Sequence, residues 1–237
     1  MKRFVYGIFL LCALEIALTQ PGFSSPKVKD CWLLTQINPN SPYSHSQIVL
    51  IAPQGVNIAA DDVKLFMIAP DYKVSIYNSS SHEYFQAPAK EWMKKYGAHP
   101  FSQTGKYITK GITGKIDSLA ANQYFMMHGA KEKAQKQREI WTTEVIEADP
   151  NVKAALRHMC GLPEGSVTGV PLRVIRLLGG GHKEVMLNTT TVKRIPVPKN
   201  AFLEPTGYKK VKSEVQLMMN YGKNSDLKNF LEDAAGK

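Results

Sequence analysis

The chain has 237 residues, of which 43% are hydrophobic, and its 30 Lys and Arg against 20 Asp and Glu give a formal net charge of +10. This composition excludes a low-complexity or disordered protein and is sufficient for one sizeable domain or two small ones. The charge alone would fit nucleic acid, but no nucleic-acid-binding motif accompanies it. We therefore expect no nucleic-acid partner, and we interpret the charge as a solubilising surface or as attraction to anionic lipid headgroups.

The first 25 residues have the order of a secretory signal peptide. A short positive segment, Met1–Arg3, precedes the apolar run Phe4–Leu14, and small or polar residues follow up to Ser25. The apolar run is too short to cross a bilayer, which needs about 20 apolar residues. The sequence therefore predicts an exported protein, with the periplasm as the favoured compartment and the extracellular space as the alternative.

Processing of this segment leaves one domain. Cleavage after Thr19 and cleavage after Ser24 fit the sequence equally well. Cys12 could instead be acylated in a lipoprotein, but a bulky residue stands before it where a small one is expected. We predict a signal peptide over residues 1–25 and a single domain over residues 26–237.

The first third of the mature chain consists of strand-like runs separated by turns rich in Pro, Asn and Ser. The runs are Cys31–Ile37, Ser46–Ala52, Val56–Ile58, Val63–Ile68, Tyr72–Tyr77 and His82–Gln86. Parallel pairing needs long crossover connections, which these short turns cannot provide. The pattern therefore predicts an antiparallel meander.

The middle of the chain carries two short predicted helices, Lys90–Tyr96 and Asn151–Cys160. The second follows Asp149-Pro150 and precedes Gly161, an arrangement typical of helix ends. Residues 98–114 are ambiguous, and residues 130–137 fit either a surface helix or a flexible connection. A further strand is expected over Glu139–Glu147.

The final third is predicted to be mostly β again. Strands are expected at Leu172–Leu178, at Glu184–Asn188 with an extension or a further strand over residues 189–195, and at Tyr208–Met218. Gly179-Gly180-Gly181 favours a hairpin turn between the first two. A short amphipathic helix is expected after Ser225. Together the elements predict one α+β domain built on a large antiparallel sheet.

Several of these segments resemble the outer-membrane lipoprotein carrier (LolA/LolB-like) superfamily, in particular its uncharacterised exported members. They are Val63–Asn78, His82–Phe85, Glu91-Trp92, Gly161–Pro163, Gly169–Arg173 and Ile195–Tyr208. The resemblance implies a curved antiparallel sheet that forms an unclosed half-barrel, with short helices covering its concave face and acyl chains held in an apolar groove. In that family an arginine is thought to hold the lid by bonding helix backbone. No arginine of this chain is matched to that role, and Arg173 is expected to orient a strand end or to pair with a carboxylate.

The apolar positions of the predicted strands provide candidates for the groove. An unclosed curved sheet leaves a concave apolar face that helices or a ligand must cover. The candidates, each of which also fits an ordinary core position, are Trp32, Leu34, Ile48, Leu50, Phe66, Ile68, Val74, Ile76, Val174, Leu187 and Met218.

Two cysteines remain after the signal peptide, Cys31 and Cys160. An oxidising compartment permits a disulfide between them, and two buried thiols are equally compatible with the sequence. No CxxC motif or Cys/His cluster is present in the sequence, so we expect no zinc site and no other metal.

The motifs of the common enzyme classes are missing from the sequence, which has no HExxH, no nucleophile elbow and no phosphate-binding loop. His158 and Cys160 stand two residues apart on a helix, so their side chains point to different faces. We expect a non-catalytic, monomeric carrier of lipid or lipoprotein acyl chains, without a cofactor and with contact to a membrane surface or membrane protein. The alternative is an envelope sensor or protein-interaction module of the same fold.

Overall fold

A computed structural model describes residues 30–39, 44–96, 106–162, 165 and 167–219. The predicted signal peptide and the helix predicted after Ser225 lie outside these residues. The strands are β1 (Asp30–Ile37), β2 (Ser46–Ala52), β3 (Gly55–Ala60), β4 (Val63–Ile68), β5 (Lys73–Asn78), β6 (Glu83–Ala87), β7 (Lys106–Ile116), β8 (Leu119–His128), β9 (Gln135–Thr143), β10 (Val170–Leu177), β11 (Lys183–Pro196) and β12 (Lys209–Lys210). The α-helices are α1 (Ala89–Tyr96), α2 (Pro150–Met159) and α3 (Glu214–Met219).

All twelve strands belong to one sheet, in the order β12-β6-β5-β4-β3-β2-β1-β11-β10-β9-β8-β7. Every neighbouring pair is antiparallel except β12 with β6, which is parallel. Because β7 and β12 lie at opposite ends of the order, the described strands do not close into a barrel. The predicted fold class, a large open sheet with a few short helices, is confirmed. No helix in the described ranges is long and apolar enough to cross a bilayer.

The meander β1–β6 follows the predicted runs closely. Its register places Leu34 opposite Val49, Val49 opposite Ile58 and Ile58 opposite Leu65. Side chains alternate between the two faces of a strand, so directly paired residues share a face. We call this face the inner face. It continues to Ile76 of β5, which pairs with Leu65 of β4, and it carries the main apolar core.

The three helices cover the inner face. Helix α2 buries Val152, Ala155 and Leu156 in the main core, since these positions form one stripe of the helix. It begins as predicted: the Asp149 carboxylate caps the helix by accepting from the Asn151 backbone N–H at 2.8 Å. Trp92 of α1 is buried in the same core.

The opposite face of β3–β6, called here the outer face, is covered by the segment over residues 197–208. Asn57 donates its amide to the Ala201 carbonyl at 2.6 Å, and the Tyr77 hydroxyl donates to Glu204 at 2.9 Å. The Tyr77 ring packs edge-on against Phe66 and Tyr208, with centroids 5.7 and 5.3 Å away. Burial, reinforced by the bond to Glu204, raises the pKa of Tyr77. Both faces of this part of the sheet are therefore packed.

The strand predicted over Tyr208–Met218 is wrong. Only Lys209 and Lys210 pair with β6, and α3 follows. The Ser213 hydroxyl accepts from the Gln216 N–H at 3.2 Å, which is a helix-capping contact. Sequence reasoning assigned a strand to the scattered apolar residues of this segment and overlooked the Ser-x-x-Gln signal.

The region between α1 and α2 also departs from expectation. Residues 106–114, the described part of the ambiguous segment, and the unassigned residues after them form the long hairpin β7–β8. The polar segment predicted as a helix or connection contains a single 3₁₀ turn at Lys131–Lys133 and then the start of β9. Further along, β11 is one continuous strand. Pairing across the sheet overrides local polarity here, because half of each strand faces solvent.

The assignment of faces makes a direct prediction for stability. Ile76 is fully buried on the inner face, whereas Ile48 is 49% exposed on the outer face. We expect Ile76→Ala to lower the free energy of unfolding by about 2–5 kcal/mol, the usual cost of a large-to-small core change. Ile48→Ala should change it by less than about 0.5 kcal/mol. Urea unfolding of both variants measures this, and equal losses would contradict the register described above.

Candidate ligand groove and its lid

The candidate groove lies between strands β1–β3 and helix α2. Apolar side chains of the sheet and of α2 form most of its wall, among them Leu34, Val49, Ile58, Leu156 and Leu187. Its free volume is about 20 Å³. That volume accommodates about one water molecule. The groove is therefore closed in this structure, with α2 as its lid.

A small polar network interrupts the apolar wall. Gln47 donates its amide to the Gln36 side-chain oxygen at 2.9 Å, and Gln36 donates to the Thr189 hydroxyl at 3.0 Å. All three side chains are buried. Buried amides are stable only when they are hydrogen-bonded, so this network fixes the side chains of β1, β2 and β11 relative to one another.

Part of the predicted groove set lies on the inner face. Leu34 and Leu187 line the closed groove itself. Val74 and Ile76 belong to the main core further along the sheet. Trp32 is partly exposed and packs against the rim of that core.

The other predicted groove residues are not brought together with these. Ile48, Leu50, Phe66 and Ile68 lie on the outer face, one position out of register with the inner-face residues of β2 and β4. Both faces of these strands carry apolar residues, so composition alone does not distinguish the inner face from the outer face. Only the pairing register of the strands distinguishes the two faces. Met218 lies on α3 and is partly buried, not on a strand.

A second apolar cluster continues the wall towards β8. Val174 pairs with Leu187 on one side and with Ile140 on the other, and all three are buried. Leu162 and Val167, from the segment that follows α2, pack on this cluster. The lid is thus seated on two clusters, one beneath the helix and one beneath its C-terminal extension.

The C-terminal end of the lid is fixed by backbone hydrogen bonds. The Gly161 N–H donates to the His158 carbonyl at 2.8 Å, and the Leu162 N–H donates to the Arg157 carbonyl at 3.1 Å. This pair of bonds is the Schellman arrangement of a helix end. Gly161 supplies the left-handed conformation that it requires, with φ of 62°.

Arg138 of β9 connects the sheet to that helix end. Its guanidinium donates to the Gly161 carbonyl at 2.8 Å and to the Cys160 carbonyl at 3.4 Å. Burial, with the neighbouring Arg176 as a weaker cause, lowers the pKa of Arg138. A Cβ at Gly161 would lie only 3.2 Å from the guanidinium. Arg138 therefore bonds the C-terminal end of the lid to the sheet, and we call this contact the latch.

Arg173 has a different role. It donates to the Asn188 side chain at 2.8 Å across β10–β11 and so orients a strand.

Sequence reasoning missed Arg138 because nothing in its neighbourhood distinguishes it. It stands at the boundary between the polar segment of residues 130–137 and the strand predicted over Glu139–Glu147, and was assigned to neither. The Gly161 stop signal was recognised, but the partner of the helix end comes from a strand 23 residues earlier in the chain.

The two cysteines of the described chain are free thiols. Cys31 lies on the face of β1 opposite to Leu34, whereas Cys160 lines the closed groove. The disulfide alternative therefore does not occur in this structure. Burial raises the pKa of the Cys160 thiol to about 12, against a smaller opposing effect of Arg138.

The three helices meet at Trp92. Its indole N–H donates to the buried Glu214 carboxylate of α3 at 2.8 Å. Its ring lies against His158 of α2, with centroids 5.4 Å apart. A movement of α2 would therefore disturb α1 and α3 as well.

A larger pocket of about 340 Å³ opens at the end of the groove where β1 begins and β2 and β11 end. Its apolar walls are Trp32, Ile51, Pro53 and Val145, and its charged walls are Asp30, Glu147 and Arg194. Ile51 lines both this pocket and the closed groove. We call this cavity the outer pocket because of its position at the end of the groove; its residues Trp32 and Ile51 lie on the inner face of the sheet.

Across the described ranges, no group of three His, Cys, Asp or Glu is placed to hold a metal ion.

Comparison with known proteins gives no match to a family model and no match to a curated protein by sequence. Among solved structures, the chain is similar to PNGF-II, with a TM-score of 0.44 and 12% identity over 81% of this chain and 33% of that one. The chain thus spans about a third of PNGF-II.

Two other similar structures are matched over about nine-tenths of their own length. The lipoprotein LppX of Mycobacterium tuberculosis has a TM-score of 0.32 and 11% identity over 74% of this chain and 90% of that one. An outer membrane lipoprotein-sorting protein domain from Vibrio parahaemolyticus has a TM-score of 0.23 and 9% identity over 74% of this chain and 89% of that one.

The rate at which the Cys160 thiol is alkylated measures how firmly the lid is closed. At pH 8 we expect it to react with iodoacetamide more than a hundredfold more slowly than in the urea-unfolded chain, because a thiol of ordinary pKa near 8.5 is partly ionised there and this one is not. Arg138→Met should raise the native rate about tenfold or more, since a hydrogen bond from a charged donor contributes about 1.5–3 kcal/mol.

Peptide mass spectrometry locates the adduct, and the rate should rise with pH in both proteins. Arg173→Met is the matched control, because it removes an arginine that does not touch the lid. Equal rates for Arg138→Met and the unmodified protein would show that Arg138 does not hold α2 down.

Proposed function

We propose that this protein is an exported, non-catalytic carrier that binds acyl chains of a lipid or lipoprotein beneath α2. The observation that carries the proposal is an apolar groove that is covered by the short helix α2, whose C-terminal end is bonded to the sheet by Arg138. Leu34, Val49 and Leu187 provide the sheet side of the groove, and Leu156 provides the lid side. The resemblance to lipoprotein carriers implies an arginine that bonds helix backbone, and the bonds of Arg138 to the Gly161 and Cys160 carbonyls are contacts of that kind.

Energetics favour a ligand that is long and apolar. When α2 lifts, the inner face loses its cover, and an acyl chain can replace the buried side chains of the helix. Each methylene that leaves water contributes about 0.8 kcal/mol. A chain of moderate length would therefore compensate for the loss of the Arg138 bonds and of the helix contacts. Opening and closing of a latched lid would allow both retention and release.

The decisive experiment is native mass spectrometry of the mature protein, purified from its exported compartment without strong detergent, followed by lipid extraction. We expect a bound phospholipid or acylated species. Met159→Trp should reduce its occupancy about tenfold or more, because the larger side chain fills the groove that Met159 lines. Ile48→Trp is the matched control, since Ile48 is exposed on the outer face of β2.

The outcomes separate the proposal from its alternative. An empty protein that also refuses added lipid would contradict the carrier function and would leave an envelope sensor or interaction module of the same fold. Loss of lipid in both Trp variants would place the ligand elsewhere than the groove.

A carrier of lipids must also meet membrane surfaces, and the net charge of +10 suits anionic ones. We expect the mature protein to sediment with vesicles containing 30% phosphatidylglycerol at 50 mM salt. It should be released at 500 mM, where the Debye length is only a few ångströms. Vesicles of phosphatidylcholine alone are the control. Binding that does not change with salt concentration or with the charge of the vesicle lipid would contradict electrostatic attraction.

A further inference from the structure

The outer pocket differs in chemistry from the groove beside which it lies. The groove is mainly apolar, whereas the outer pocket combines apolar walls with three charged side chains. Its volume of about 340 Å³ falls at the lower end of the range of small-molecule sites. Ile51 lines both cavities, so a molecule with one polar and one apolar end could occupy the two together.

The cation of the outer pocket is available to a ligand. Among the described residues, the ion pair of Arg194 is a long contact of 3.8 Å between its Nε and an Asp30 oxygen, and its side chain is 63% exposed. Its guanidinium lies 5.5 Å from the Trp32 ring centroid. A guanidinium has five N–H donors, so most of them remain for an anion such as a phosphate.

The remaining charged walls favour a cation. Asp30 and Glu147 both line the pocket, and Glu147 is exposed on the loop that leads from β9 to α2. The partly exposed face of Trp32 adds an aromatic surface, which also attracts cations. One wall of the pocket therefore suits a negative group, and the others suit a positive one.

We propose that the outer pocket binds the zwitterionic headgroup of an aminophospholipid whose acyl chains occupy the groove. The Arg194 guanidinium donates to the phosphate, and the ammonium lies against the carboxylates of Asp30 and Glu147. This proposal rests on the proposed carrier function and specifies the class of lipid. A headgroup with only a negative charge would meet two carboxylates, and one without charge would leave all three side chains unused.

The test is competition among three lipids with identical dioleoyl chains: phosphatidylethanolamine, phosphatidylglycerol and diacylglycerol. Delipidated protein is mixed with equimolar amounts in mild detergent, and bound species are counted by native mass spectrometry. We expect phosphatidylethanolamine to be retained about tenfold over either competitor. Arg194→Ala should abolish its advantage over diacylglycerol, and Glu147→Gln should reduce its advantage over phosphatidylglycerol.

Lys193→Ala is the matched control for Arg194, because adjacent residues of β11 point to opposite faces of the sheet and Lys193 is exposed. Glu184→Gln is the control for Glu147→Gln, because Glu184 lies at the other end of β11 from Arg194 and therefore far from the outer pocket. Equal retention of the three lipids, unchanged in Arg194→Ala, would overturn the headgroup site and leave the carrier function standing. Retention of no lipid at all would overturn both.

Discussion

An apolar face that the sheet cannot cover by itself determines most of this architecture. The strands curve without closing, so the inner face of β1–β6 would otherwise be exposed to water. Three helices of ten residues or fewer bury it, and they meet one another at Trp92. Helices of this length are not stable alone, and they derive their stability from the same apolar contact that they provide to the sheet. Cover and core are mutually dependent.

This dependence is concentrated at the C-terminal end of α2. There the helix stops at Gly161, the sheet donates to its terminal carbonyls through Arg138, and Leu162 enters the second apolar cluster. Carbonyl groups at a helix end lack partners within the helix, so a cation from the sheet satisfies them and complements the helix dipole. A bond of this kind can break without unfolding a strand.

Local signals in the sequence were sufficient for the meander and for α1 and α2. Apolar runs bounded by turn residues located β1–β6, and Asp149-Pro150 with Gly161 located α2, because turns and helix ends depend on residues close in the chain. The faces of β2 and β4 could not be predicted, since Ile48 and Phe66 are as apolar as their inner-face neighbours. Phe66 is buried only because residues 197–208 return to cover the outer face. Arg138 and the long hairpin β7–β8 depend on partners distant in sequence, and no nearby residue indicates them.

The position of β12 has a consequence for association between copies of the chain. Strand β12 pairs with β6, and α3 follows at once, so this margin of the sheet is occupied by the chain's own segment. The described strands at the two margins of the sheet are β7 and β12, and each has a strand neighbour on one side only. Strand β12 has only two residues, so it offers little backbone for pairing with another chain, whereas β7 offers an edge of eleven residues. The exposed Lys110 and Lys115 of β7 place like charges along even that edge.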